Sequence, residues 1–170
     1  SIQEIDENSK PMLIAISREV NIFLQMNHPA ILRFIGYSPT NFNDESYPVI
    51  ITEYAPNDSL GNIINLSRRG LSPKTWNSTK KLINIYGIAS GMHYLHLNNI
   101  IHRDLKPDNI LMDDYLFPKI ADFGLSKINH TNDKSITIQS TAGIKGTPIY
   151  IAPEIWKNEE YDKAGDVYSF

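Results

Sequence analysis

Residues 100–124 read IIHRDLKPDNILMDDYLFPKIADFG, and chemistry is concentrated there. Asp104, Asn109 and Asp122 supply two carboxylates and an amide, a hard oxygen set suited to Mg²⁺ that also carries phosphate. The apolar pieces Ile110-Leu111-Met112 and Pro118-Lys119-Ile120-Ala121 predict two short strands joined by a turn at Asp113-Asp114-Tyr115. Such a hairpin would bring Asp104, Asn109 and Asp122 close together, and convergence of the three on one point is the spatial condition for phosphate chemistry.

By order and spacing, HRDLKPDN at 102–109 and DFG at 122–124, with APE downstream at 152–154, resemble the catalytic and metal-binding loops of eukaryotic-type protein kinases. Lys106 together with Thr147 is the pattern of the serine/threonine type. The segments ILRFIGYSP, VIITEYAPNDSL, DFGLSK and GTPIYIAPEIW look most similar to the tyrosine-kinase-like group that phosphorylates serine and threonine.

The resemblance implies an α+β, two-lobed protein-kinase-like fold, truncated at both ends, with 1–53 the remainder of the small lobe and 54–170 the first part of the large lobe. It implies Mg²⁺-dependent transfer of the ATP γ-phosphoryl group to protein Ser or Thr hydroxyls, with ATP and a protein substrate as partners. Asp104 would accept or orient the proton of the substrate hydroxyl, Lys106 would offset charge on the moving phosphoryl group, and Asn109 and Asp122 would hold Mg²⁺. Thr52 would border the adenine pocket, and the backbone of Glu53 and Ala55 would face the adenine edge. Glu19 would pair with the phosphate-binding lysine, whose place is either Gln3 or a residue before Ser1. The glycine-rich loop would also precede Ser1. Arg103 would tie the catalytic loop to a phosphorylated residue among Thr131, Ser135, Thr137, Ser140 and Thr141. Glu154 would pair with an arginine beyond Phe170, and Asp166 would begin the helix that anchors the catalytic loop. His102, Phe123, Phe23 and Phe34 would stack as the link between lobes. With the phosphate clamp lacking and Glu19 and Glu154 unpaired, the 170 residues alone are expected to show little or no activity; with Tyr168, Ser169 and Phe170 opening a helix that has no continuation, they are expected to be poorly soluble.

Positioning these groups requires a helix through Leu13, Ile16, Val20, Phe23 and Leu24, with Glu19 on the margin of its apolar stripe. Pro29 ends it and biases His28, read as a structural histidine, toward extended backbone. Strands are predicted over 32–37 and 49–54, and a short helix over 60–66. A long helix follows, capped by Ser72 ahead of Pro73, with Leu82, Ile85, Tyr86, Ala89, Met92 and Leu95 as its buried stripe. Lys80 and Lys81 would face water, and Asn98-Asn99 would end the helix. Residues 126–145 read as a loop.

Composition fits one domain with a real core. A net charge of −3 is too balanced to argue for nucleic acid or an anionic membrane as partner. No cysteine is present, no apolar run reaches membrane-spanning length, and no secretory signal opens the sequence as given. Asn57, Asn77 and Asn129 head Asn-x-Ser/Thr triplets that are read as accidental, and a cytoplasmic location is expected. Two other classes compete: a pseudokinase that binds partners without catalysis, and a kinase-fold enzyme acting on small molecules. Intact Asp104, Asn109 and Asp122 count against the first, and the docking segment from Thr147 to Glu154 against the second.

Overall fold

The computed structural model describes residues 20–43, 45, 47–128, 147–156 and 162–170. The architecture is mixed α and β, with three small antiparallel sheets and helices packed on them. Residues 20–23 are the end of a helix, with Ile22 and Phe23 buried. Leu24, expected on that apolar face, is 66% exposed, because Ile22 takes the inward position at the last turn.

β1 (Phe34–Ser38) and β2 (Val49–Thr52) pair antiparallel, Phe34 opposite Thr52, with an irregularity before Gly36. β1 starts two residues later than predicted, since Leu32 leaves this sheet and donates its N–H to Ile120 O at 2.9 Å, and it runs on to Ser38, while β2 stops at Thr52, two residues short. Ile120 N donates in turn to Ala30 O at 2.8 Å, so residues 30–32 are stitched to a different hairpin.

That hairpin is β4 (Ile110–Met112) with β5 (Pro118–Ile120), in the predicted place, with Ile110 facing Ile120 and Met112 facing Pro118. Asp113 closes its turn, Oδ1 accepting from the backbone N–H of Tyr115 at 2.9 Å and of Phe117 at 2.8 Å. A second, two-residue ladder joins β3 (Ile100–Ile101) to β6 (Lys127–Ile128), which closes the loop between them.

Helix α1 (Leu60–Arg68) starts at Ser59, whose hydroxyl accepts from Asn62 N at 3.2 Å. Helix α2 (Ser78–Leu97) starts later than expected. Its cap is Asn77, accepting from Lys80 N at 2.9 Å, because residues 73–76 form a separate turn that buries Trp76. It ends at Asn98, and Asn99 takes the left-handed conformation at φ 57°.

The buried face of α2 differs from the predicted stripe. Leu82, Ile85, Tyr86 and Ala89 are exposed, and the face turned inward is Asn84, Ile88, Gly91, Met92 and Leu95. Close approach explains it: a Cβ at Gly91 would lie 2.6 Å from Ile120 Cδ1, and one at Gly87 2.8 Å from a Pro118 ring carbon. The helix is pressed against β5 along its small residues, which a count of large apolar side chains overlooks. Lys80 does not simply face water, since its Nζ donates to Tyr115 O at 2.8 Å and sits 4.0 Å over the Phe117 ring.

Short helices α3 (Pro153–Trp156) and α4 (Lys163–Ser169) follow, α4 capped by Asp162. One core runs through Ile22, Phe23, Ile31, Leu95, Ile100, Ile110, Met112, Ile120 and Phe123, directly beneath the loop of residues 102–109.

Candidate active site

The loop from His102 to Asn109 is built on a buried carboxylate that belongs to α4. Asp166, 1% exposed, accepts from His102 N on Oδ2 and from Arg103 N on Oδ1, both at 2.8 Å. His96 at the end of α2 contacts the same Oδ2 at 2.9 Å. Arg103 sits at φ 71°, a conformation disfavoured for a side chain with Cβ, and the two anchored N–H groups hold it there. Contrary to expectation Asp166 does not begin α4, which starts at Lys163 behind Asp162; it lies in the first turn, and its carboxylate is what anchors the loop.

His102 is fully buried, with Nε2 3.0 Å from Ala121 O and Nδ1 accepting from Asp104 N at 3.3 Å. Since Nδ1 accepts, Nε2 carries the hydrogen and the ring is neutral. Burial pushes its pKa below 6.5, against the opposing pull of the Asp166, Asp122 and Asp104 charges and the Ala121 carbonyl. The same ring lies 5.3 Å from Phe123, which meets Phe23 edge-on at 5.0 Å, and Phe23 stacks on Phe34 at 5.8 Å. The four-ring stack expected from the sequence is therefore present.

Asp104 is the hub of the polar cluster. Its Oδ1 accepts from Thr147 N at 3.0 Å and Thr147 Oγ1 at 3.1 Å. Its Oδ2 accepts from Asn109 Nδ2 and from Lys106 Nζ, each at 2.9 Å. Lys106 Nζ also donates to Thr147 Oγ1 at 2.7 Å. Burial pushes the Asp104 carboxyl up, but the hydrogen bonds from Lys106, Asn109 and Thr147 and the Lys106 charge outweigh it and hold the group below its ordinary 3.8. Asp104 is a fixed anion whose four acceptor directions are all in use.

Asn109 is 8% exposed, and its amide orientation is set by two bonds from Nδ2, to Asp104 Oδ2 and to the Asp104 carbonyl at 2.8 Å. That leaves Oδ1 with no hydrogen bond among the described residues, available as an oxygen ligand. Asp122 follows Ala121, whose N–H donates to Asn109 O at 2.9 Å. It takes φ 63°, is exposed, and among the described residues accepts a single long bond, 3.4 Å from Gly124 N. The structure therefore bonds Asp104, Lys106, Asn109 and Thr147 to one another. Asp122 stands beside them, tied through the backbone of Ala121 rather than by its side chain.

This donor set fits Mg²⁺: among the described residues, an amide oxygen without a hydrogen bond and a carboxylate held only by one long bond, on adjoining segments. Mg²⁺ is ordinarily held by one or two carboxylates together with water and substrate phosphate rather than by a full protein cage. Among the described residues no group of three or more His, Asp or Glu side chains is gathered for a metal.

Thr52 closes β2 opposite Phe34. Glu53 N donates to Arg33 O at 2.9 Å, while the Glu53 carbonyl and the Ala55 N–H are without hydrogen bonds among the described residues, as are the Tyr54 N–H and carbonyl between them. Sequence reading missed Lys119, whose Nζ lies 3.1 Å from Glu53 Oε1. A charge in the middle of a three-residue apolar strand was the available signal. It also missed Ser126, buried and donating to His102 O at 3.1 Å, which nothing in its loop-like surroundings marks. His28 is structural as expected, linked to Ser90 Oγ at 3.2 Å and accepting from Ala30 N at 3.1 Å. Glu19, Gln3 and the candidate hydroxyls Thr131, Ser135, Thr137, Ser140 and Thr141 lie outside the described residues. No described helix is long and apolar enough to cross a membrane.

The family description "Protein kinase domain" matches residues 2–170. The serine/threonine-protein kinase CTR1 of Arabidopsis thaliana is 36% identical over 157 residues, covering 90% of this chain and 17% of that protein. The cysteine-rich receptor-like protein kinase 10 of Oryza sativa subsp. japonica is 33% identical, covering all of this chain and 25% of that protein. The probable serine/threonine-protein kinase PBL7 of Arabidopsis thaliana is 34% identical, again over all of this chain and 43% of that protein. The chain thus spans less than half the length of each of these relatives. Matched along residues 2–170, it belongs to the protein kinase domain family.

Proposed function

We propose that the protein is a cytoplasmic serine/threonine kinase of two lobes meeting near residues 53 and 54, moving the ATP γ-phosphoryl group to a protein hydroxyl. The observation that carries this reading is the Asp104, Lys106, Asn109 and Thr147 cluster, with Asn109 Oδ1 and the Asp122 carboxylate left open beside it. Asn109 and Asp122 would hold Mg²⁺, which when bound neutralises charge on the nucleotide phosphates. Thr52 and the backbone of Glu53 and Ala55 would receive adenine, and Glu19 would pair with the phosphate-binding lysine.

In the reaction the acceptor hydroxyl oxygen attacks the γ-phosphorus, the bond from that phosphorus to the bridging oxygen of ADP breaks, and the hydroxyl proton passes to Asp104. An incoming hydroxyl takes the place of one of the donors now on that carboxylate. Because Asp104 is held as an anion, its part is chiefly to orient the hydroxyl and to take the proton late, as bond formation acidifies it. Lys106 offsets charge on the transferring group. Catalysis of this kind rests on positioning and electrostatic stabilisation. Lys106 paired with Thr147, and relatives named as serine/threonine kinases, favour Ser and Thr as acceptors.

The test is transfer from radiolabelled ATP, with Mg²⁺, by the full-length product of the gene onto a generic protein acceptor. Transfer should be confined to Ser and Thr and should fall at least about a hundredfold in Asp122→Ala. Undiminished transfer by Asp122→Ala would refute the assignment.

A further inference from the structure

The Glu53 side chain ties three separate segments together. Its Oε1 accepts from Arg33 N at 2.8 Å, at the entry to β1, while its own N–H returns to Arg33 O at 2.9 Å. The same Oε1 lies 3.1 Å from Lys119 Nζ in the middle of β5. The two side chains are mostly shielded, Lys119 16% and Glu53 22% exposed. β5 is itself held on both edges, by β4 on one side and by residues 30–32 on the other. Three residues beyond Lys119 comes Asp122.

The end of β2, whose free carbonyl and N–H groups suit a flat heterocycle, is thus clamped to the strand that delivers the candidate metal carboxylate. No backbone hydrogen bond joins residues 52–55 directly to β5 among the described residues; the backbone link runs indirectly through Arg33 and residues 30–32, and the ion pair adds the direct one. An isolated surface ion pair would contribute little. This one is charge-assisted by a backbone donor, partly desolvated, and placed between two rigid ladders.

We propose that Glu53 and Lys119 are positioning residues for nucleotide binding, fixing the adenine-facing backbone relative to Asp122 so that base and phosphates are received in one geometry. This rests on the kinase reading. Neither side chain touches the reacting atoms, so the effect belongs in nucleotide affinity rather than in turnover.

The experiment compares full-length wild type with Lys119→Met, Glu53→Gln, the double variant and Lys119→Arg. A fluorescent ATP analogue with Mg²⁺ reports Kd, steady-state transfer reports KM for ATP and kcat, and hydrogen exchange reports the Arg33 and Glu53 amides. Glu53→Gln keeps an acceptor for Arg33 N and removes only the ion pair. Each of the first two variants should raise Kd and KM for ATP about fivefold, a size typical of contacting pairs, with kcat within about twofold. The double variant should be no worse than either single one, Lys119→Arg should stay near wild type, and Lys119→Met should exchange faster at the Arg33 and Glu53 amides. Wild type that fails to bind Mg·ATP sinks the kinase reading and this inference with it. Wild-type binding that Lys119→Met leaves unchanged, or losses that add in the double variant, sink this inference alone.

Discussion

Replacing Asp166 tests how the loop of residues 102–109 is held. Its carboxylate takes the N–H groups of His102 and Arg103 at 2.8 Å and the His96 ring at 2.9 Å, while only 1% exposed. Asp166→Ala strands two backbone donors away from water. Each unsatisfied buried donor costs about 1–3 kcal/mol, so the pair costs about 2–6 kcal/mol. Some of that is offset as Arg103 relaxes from φ 71°, a conformation worth about 1–3 kcal/mol of strain. The net expectation is a loss of about 1–3 kcal/mol, a sizeable part of the roughly 5–15 kcal/mol that holds a typical domain together. Asp166→Asn should fall between wild type and alanine, because its oxygen still accepts one N–H while its amide nitrogen opposes the other. Urea titration followed by tryptophan fluorescence reads the difference, buried Trp76 being the reporter. Hydrogen exchange at Arg103 reads the local release. A loss under about 0.5 kcal/mol for Asp166→Ala at unchanged urea dependence would refute the account of how this loop is anchored.

Lys106→Met should lower phosphoryl transfer about 10²–10³-fold, measured as kcat, since it removes a charge from both Asp104 and the transferring group. It should also let the Asp104 carboxyl rise toward its ordinary value, moving the acid limb of the rate profile to higher pH. For His102 burial lowers the folded-state pKa below 6.5, so beneath that pH the unfolded chain binds a proton that the folded chain refuses. Stability should therefore fall as pH drops through about 6.5, with a slope of at most about 1.4 kcal/mol per unit from this group; His28, lowered in the same direction by burial, adds to it. Urea midpoints that stay flat between pH 7 and pH 5.5 would contradict this. Gly91→Ala should lower Tm even though glycine to alanine within a helix ordinarily gains about 1 kcal/mol, because the new methyl would meet Ile120 Cδ1 at 2.6 Å. A higher Tm would show that α2 can move off β5 at little cost.

The hairpin of residues 110–120 is legible in the amino-acid sequence itself. Ile110-Leu111-Met112 and Pro118-Lys119-Ile120 are short apolar runs around a turn whose Asp113 side chain bonds its own backbone, and each of those properties is local. The identities of Asp104, Lys106, Asn109 and Asp122 are equally plain, because spacing along the chain carries them. Of the three oxygen-bearing side chains expected to converge, Asp104 and Asn109 bond directly. Asp122 joins through Ala121, since its φ of 63° turns it out of the strand direction.

Sequence alone settled which groups could do chemistry and which short segments would flank them, because turn chemistry, strand alternation and motif spacing act over a few residues. Tertiary structure decided which face of α2 turns inward, since Gly87 and Gly91 reveal a close approach only once β5 lies against them. It decided that Thr147, more than forty residues along the chain, supplies two of the four donors on Asp104, and that Asp166 holds His102 and Arg103. It joined Glu53 to Lys119 as well. Each of these contacts links residues distant in sequence, and no local preference encodes a distance that only packing of the whole core brings about.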